Sequence, residues 1–209
     1  MARPRKRDCS SAADKLIDAL WTCLESNRLS GITVSTVTKC AGLNRGTFYY
    51  HFRDMDDLTA HAIEREFNAN ALLPSIFDLI TGVPSTTPAA QLVADRMRNL
   101  SLLVDGGGMD VLSTQVKQLV RQMWTAILCN DGESLKPETT LIIEYTTNGI
   151  LGILANETMR ATVQQSPDAF DDFIKHNSTF LLSQIGRAQD VPLNIIVERI
   201  QATRRVSRL

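Results

Sequence analysis

Apolar positions recur along most of the chain with the period of a helix, and they do so in short, separately capped stretches. Leu16, Leu20 and Leu24 fall four residues apart with Ile17 and Trp21 beside them, which predicts one apolar stripe on a helix over 11–27, opened by the Ser10/Ser11 cap region. Gly31 closes the connection after it. Thr33 is placed to cap a short helix over 34–40 in which Val37 points inward. Ala41, Gly42 and Leu43 then form a tight turn, with Gly42 supplying the positive φ that a sharp reversal needs. Asn44 caps a third short helix running through His51. Two short helices joined by a glycine turn, with apolar residues at Val37, Leu43, Phe48 and Phe52, form a helix-turn-helix pattern.

Asp54 predicts the next helix, to about residue 73, with Asp56 and Asp57 in its first turn and Leu58, Ala62, Ile63 and Phe67 on its apolar face. Pro74, Gly82, Pro84 and Pro88 mark a linker and the expected domain boundary, with one helical turn around 76–79. The helical period returns with Val93, Met97, Leu100 and Val104, and Gly106, Gly107 and Gly108 stop it. Val116, Leu119, Val120, Met123, Trp124 and Ile127 predict another helix. Pro137 opens a long one over 137–160, and Pro167 opens one over 168–187. Leu193, Ile196, Val197 and Ile200 predict a last short helix within 191–209, packed on the core or on a partner, with a frayed basic end. No alternating strand pattern and no internal repeat is visible, so the expected fold class is all-α.

Charge changes this picture more than composition does. The 209 residues are 44% apolar and 22% charged, as in an ordinary globular protein, and the net charge of −1 carries no sign of a nucleic-acid partner. That balance hides a segregation: nine Lys and Arg against four Asp and Glu over 1–53 leave +5 there, and the rest of the chain carries −6. The basic run Arg3, Arg5, Lys6, Arg7 is followed by polar residues rather than an apolar segment, so a signal peptide is not expected and the chain reads as cytoplasmic. The most apolar stretch, 141–155, carries Glu144 among several Thr and Asn and falls short of the about 20 apolar residues that span a bilayer.

Little in the sequence points to catalysis or metal binding. Cys9, Cys23, Cys40 and Cys129 have no C-x-x-C pairing and no His at ligand spacing, and read as reduced thiols, with Cys40 expected at a small core position and Cys23 or Cys129 open to redox sensing. His61 and Glu64 lack the HExxH spacing, His176 stands alone, and the triple glycine lacks the Lys-Ser/Thr of a phosphate loop. Neither a metal, a cofactor nor an enzymatic site is expected.

The run Asn44-Arg45-Gly46-Thr47-Phe48-Tyr49-Tyr50-His51-Phe52 with Leu58, preceded by Ile32-Thr33-Val34 and Ala41-Gly42-Leu43, resembles the N-terminal DNA-binding region of the TetR family of transcriptional regulators. The resemblance covers about 10–67. It implies a homodimer, mostly a repressor, in which a three-helix DNA-binding domain is joined to a divergent helical ligand-binding and dimerisation domain. The corresponding partition is a basic arm over 1–9, a helix-turn-helix domain over 10–53, a connecting helix over 54–73 and an effector-binding and dimerisation domain over 74–209. The sequence departs from the family at the start of the fourth helix, where members commonly carry a phosphate-holding Lys and this chain has Met55 among Asp54, Asp56 and Asp57. Arg53 or the basic arm is expected to take that role.

Residue chemistry agrees with the resemblance. In a helix-turn-helix the second short helix enters the major groove with its N-terminal residues toward base edges. Those are Arg45, suited to a bidentate contact with guanine, Gly46, which lets the backbone approach, and Thr47, suited to a phosphate or a thymine methyl. Tyr49, Tyr50, His51, Thr33 and Ser35 suit phosphates, and Arg3, Arg5, Lys6 and Arg7 suit the backbone or a minor groove. Phe48, Phe52 and Trp21 belong to the core. The expected partners are an operator in double-stranded DNA, a second copy of the chain through the apolar helices over 137–160 and 167–187, and a small-molecule effector near Met97, Met123, Trp124, Tyr145 and Asn148, with Glu144 as a further polar anchor. The competing classes are a DNA-binding activator or regulator without effector, and an all-α enzyme.

Overall fold

Ser11 starts the first helix with a reciprocal cap. Its hydroxyl accepts from the Asp14 backbone N–H at 3.1 Å while the Asp14 carboxylate accepts from the Ser11 N–H, so two otherwise orphaned donors are satisfied. The computed structural model describes residues 11–68 and 98–206, and its elements there are all helical. They are α1 (Ala12–Leu24), a single 3-10 turn (Leu29–Gly31), α2 (Val34–Ala41), α3 (Arg45–His51), α4 (Met55–Asn68), α5 (described over 98–105), α6 (Met109–Leu128), α7 (Pro137–Ala155), α8 (Glu157–Gln165), α9 (Pro167–Gln189) and α10 (Leu193–Val206). The protein is all-α, with a helix-turn-helix at its N-terminal end. The arm over 1–9, the linker over 74–88 and Met97 lie outside the described residues.

Two apolar cores organise these helices. The first gathers Leu16, Leu20, Val37, Phe48, Phe52, Leu58 and Ile63 from α1 to α4 and continues without a break into Leu100, Leu103, Leu112, Leu151 and Leu154 of α5, α6 and α7. The second, at the other end of α6 and α7, joins Trp124, Ile127, Leu128 and Ile143 to Leu182, Ile185, Ile196 and Ile200 of α9 and α10. The described part of the C-terminal segment thus forms α10 seated on the core, with Ile196 and Ile200 buried and Arg199 donating to the Ile127 carbonyl and to Asn130 Oδ1.

The triple glycine does more than stop α5. The Gly106 carbonyl accepts from the Leu29 N–H at 2.9 Å, and a Cβ at Gly106 would sit 3.1 Å from Leu24 Cδ2, so the loop rests directly on the end of α1. At Gly108 a Cβ would fall 2.5 Å from Leu103 Cδ1. Side chains here would push α5 away from α1.

One expectation is corrected. The helix predicted over 137–160 is two helices, because Asn156 leaves the helical conformation and its side chain accepts from the Met159 N–H, starting α8 afresh. Arg160 fixes the break: its guanidinium donates to the Leu154 carbonyl and to Asp105 at 2.7 Å, spanning the end of α7 and the end of α5. α8 then runs on to Gln165.

Candidate nucleic-acid interface

α2 and α3 are held at a fixed angle by local hydrogen bonds. Thr33 caps α2 through Thr36, whose N–H and hydroxyl lie 3.2 and 3.0 Å from the Thr33 hydroxyl. α2 ends at Gly42, whose φ of 65° and ψ of 30° place it in the left-handed region where an L side chain is strained. The Leu43 N–H donates back to the Thr38 carbonyl, and the chain turns into Asn44. The Asn44 Oδ1 accepts from the Thr47 N–H at 2.8 Å and from the Thr47 hydroxyl at 3.2 Å, which caps α3.

α3 has seven residues and two faces. Phe48 and Phe52, four apart, are buried and in ring contact with each other, fixing the helix to the first core. On the opposite side Arg45 and Tyr49, and Gly46 and Tyr50, form two i, i+4 rows that are exposed to solvent. Tyr49 is 59% exposed and Tyr50 84%, a large aromatic surface open to solvent. His51 is half-buried and stacks edge-on with Tyr50 at 4.9 Å between centroids. Thr47 is half-buried, and its hydroxyl proton is committed to the cap. Gly46 sits so close to the cap that a Cβ would lie 3.1 Å from Asn44 Oδ1. Ser35 is exposed at the start of α2, next to Thr33. The structure therefore brings Thr33, Ser35, Arg45, Gly46, Thr47, Tyr49, Tyr50 and His51 onto two consecutive short helices, while Arg3, Arg5, Lys6 and Arg7 lie outside the described residues.

The start of α4 is acidic and apolar. Met55 is half-buried against the first core, Asp54 caps the helix through the Asp57 N–H at 2.8 Å, and Asp57 binds Arg53 twice, through its backbone N–H at 2.9 Å and its guanidinium at 3.0 Å. Arg53, expected as a substitute phosphate clamp, already has a carboxylate partner in this structure, although its side chain remains exposed. The Arg53 backbone N–H, then its guanidinium, hold the Asp57 carboxyl below the usual carboxylate range. Sequence reading missed two contributors. Thr36, three residues from Thr33, was legible from that spacing; the Arg53–Asp57 lock was hidden because Asp57 also reads as an ordinary helix-start acid.

The residues expected to hold an effector do not share one environment. Trp124 is buried in the second core with Met123 half-buried against it, whereas Tyr145 is 84% exposed and Asn148 is exposed, its amide donating to the Glu144 carbonyl. Glu144 is engaged by Arg121 at 2.9 Å. Cys40, expected inside, is exposed because it lies on the outer side of the last turn of α2 while Val37 and Thr38 face inward. Among the described residues no cluster of three or more His, Cys, Asp or Glu is placed to hold a metal ion, and no helix is long and apolar enough to cross a membrane.

A capped pair of short helices with a left-handed glycine between them and an open polar and aromatic face on the second forms a helix-turn-helix, the arrangement that in DNA-binding proteins sets its second helix in the major groove. Residues 16–62 match the family of bacterial regulatory proteins described as the tetR family. No curated protein matches the chain. Among solved structures it is similar to the TetR family repressor AlkX from Dietzia sp. strain DQ12-45-1b, implicated in biodegradation of n-alkanes, at 17% identity over 79% of this chain and 96% of that one, with a TM-score of 0.44. It is also similar to NalD, the secondary repressor of the MexAB-OprM multidrug efflux pump in Pseudomonas aeruginosa, at 14% identity over 85% and 95% with a TM-score of 0.39. A third similarity is to the regulatory protein TetR from Rhodobacter sphaeroides, at 17% identity over 86% and 99% with a TM-score of 0.35.

Proposed function

We propose that the chain is a homodimeric repressor that reads a two-fold symmetric operator through α3 and is released from it by a small-molecule effector bound in the helical body. The observation that carries the DNA reading is the outward face of α3, where Arg45, Gly46, Tyr49 and Tyr50 stand exposed on a helix pinned from behind by Phe48 and Phe52. Arg45 takes a base edge, Gly46 admits the backbone, Tyr49, Tyr50, His51, Thr33 and Ser35 take phosphates, and Thr47 presents its methyl group and its remaining lone pair. The arm Arg3 to Arg7 adds backbone or minor-groove contacts in place of the missing Lys. The domain division into an arm, a reader over 10–53, a connecting helix over 54–73 and a body over 74–209 belongs to the same reading.

Dimerisation is supported by what α7 and α9 leave to water. Leu141 is 70% exposed, Tyr145 84% and Phe180 66%, and nothing approaches within 4 Å of where a Cβ would stand on Gly149 or Gly152. A surface this apolar on two neighbouring helices fits a self-complementary two-fold contact. It also reassigns Tyr145 and Asn148 from effector to partner, leaving Met123, Trp124 and Met97 for the effector. Effector binding would act by population shift, moving α4 and α5 and with them the spacing of the two α3 helices. The packing supports such a route, since Arg98 pairs with Glu25, Asn99 with Glu66, and the Gly106 carbonyl with Leu29.

Selection from a random DNA pool by the full chain tests this function. The expected product is a palindrome whose half-sites lie about 34 to 36 Å apart, one helical turn. Retention of unrelated sequences with equal affinity would reject sequence-specific reading.

A further inference from the structure

The break between α7 and α8 is joined by one side chain to the loop that holds the helix-turn-helix. Arg160 is 8% exposed, and its guanidinium donates through one nitrogen to the Leu154 carbonyl at 2.6 Å and through the other to Asp105 Oδ1 at 2.7 Å. A planar guanidinium held at two nitrogens fixes direction as well as distance, so the end of α7 and the end of α5 are set at one angle. Asp105 is followed by Gly106, whose N–H donates to the Leu102 carbonyl and whose carbonyl accepts from the Leu29 N–H, both at 2.9 Å. Leu29 opens the 3-10 turn, its own carbonyl accepts from the Ile32 N–H at 3.1 Å, and Thr33, next in the chain, caps α2. Arg98 and Glu25 also link the body to α1, but both side chains are largely exposed and such a pair holds little. The first core adds apolar packing, which has no direction.

We propose that Arg160, Asp105 and the Gly106–Leu29 hydrogen bond form one strut from the end of α7 to the start of α2, and that Arg160 and Asp105 are positioning residues that set the angle of the helix-turn-helix on the body. The strut stands on these contacts alone; its effect on DNA rests on the homodimeric DNA-binding reading above. Neither residue touches DNA in this account. Arg160 acts through Asp105, and Asp105 acts through the backbone of Gly106.

The consequence for DNA follows from what lies at the two ends of the strut. α7 carries the exposed Leu141 and Tyr145 of the dimer face proposed above, and α2 passes directly into α3 through Gly42 and the Asn44 cap. The strut therefore ties each reader to the two-fold axis, and the two α3 helices stand at one separation. One base pair inserted between half-sites moves one of them by about 3.4 Å and turns it by about 35°. With the strut intact the second reader misses its half-site; without it each helix-turn-helix pivots on the apolar core and follows.

Asp105→Ala in the full chain tests this, because Asp105 is largely exposed and its loss leaves Arg160 on the buried Leu154 carbonyl. Hydrogen–deuterium exchange read by mass spectrometry is expected to show the peptide carrying the Leu29 amide exchanging at least fivefold faster in the variant, with the α1 peptide around Leu20 unchanged. Asp105→Asn, which keeps an oxygen for the guanidinium, is expected to restore the slow rate to within about twofold. Unchanged exchange at Leu29, or equal acceleration in both peptides, would overturn the strut. In the DNA arm, preference for the selected palindrome over the same palindrome with one base pair inserted at its centre is expected to fall at least fivefold in Asp105→Ala and to return in Asp105→Asn. A merely structural role would weaken binding to both DNAs together and leave that ratio alone. An unchanged ratio with faster exchange at Leu29 removes the positioning role and keeps the strut; failure of the unaltered chain to select a palindrome rejects the homodimeric DNA reading instead.

Discussion

At the scale of single residues, the proposed reader surface depends on side chains whose neighbours leave them exposed. Arg45 is exposed at the first position of α3 with no ion pair to a described residue, while Arg53, eight residues on, is bound by Asp57. Arg45→Ala is therefore expected to cost about 1 to 3 kcal/mol of operator binding and to relax preference at one base pair, read by titrating the selected operator and single-base variants of it. Equal losses on operator and scrambled DNA would make Arg45 a phosphate contact rather than a reader. The acids behave differently. Asp14, chiefly through the Ser11 hydroxyl, and Asp57, chiefly through the Arg53 backbone N–H, both titrate below the ordinary carboxylate range. A folded value depressed below the unfolded one stabilises in full above about pH 4 and loses that contribution as pH falls through the folded value. The difference in melting temperature between the chain and Asp57→Asn should thus be constant from neutral to about pH 5 and shrink below about pH 4. A difference that grows on acidification contradicts this assignment.

At the scale of elements, caps and breaks were unequally legible. Ser11, Thr33, Asn44 and Asp54 all cap as their sequence positions imply, because a cap is settled within four residues of chain. The break at Asn156 was hidden, since its second support is Asp105, 55 residues from Arg160. Arg160→Ala is expected to destabilise the chain by about 1 to 3 kcal/mol in urea unfolding, because it strips the Leu154 carbonyl of a buried donor. Asp105 adds little, being largely exposed itself. An unchanged midpoint would mean that Asn156 holds the break unaided. Cys40 illustrates the same limit: helical periodicity places Val37 inside, but which neighbour a boundary residue faces depends on the crossing of α1 and α2.

At the scale of the whole molecule, the charge split and the exposed apolar helices carry the argument. Under the proposed function, the +5 of 1–53 and the −6 of the remainder would set a DNA-facing end against a body that DNA repels, favouring one docking orientation. The outer faces of α7 and α9 are expected to close a dimer. Sedimentation equilibrium should give twice the mass of the chain, and Leu141→Glu with Phe180→Glu should shift it to the monomer with helicity retained, since both side chains are exposed. A double variant that stays dimeric would move the interface elsewhere.

The sequence by itself determined the helical class, the caps, the glycine turn and the two faces of α3, because each is a property of a few neighbouring positions: a 3.6-residue period, a cap or a φ above zero. Only the tertiary structure decided that the first core runs from the helix-turn-helix into α5, α6 and α7, that Arg53 is locked, and that Tyr145 faces outward and Trp124 inward. Those facts depend on how helices cross, and crossing is set by the packing of side chains brought together from distant parts of the chain.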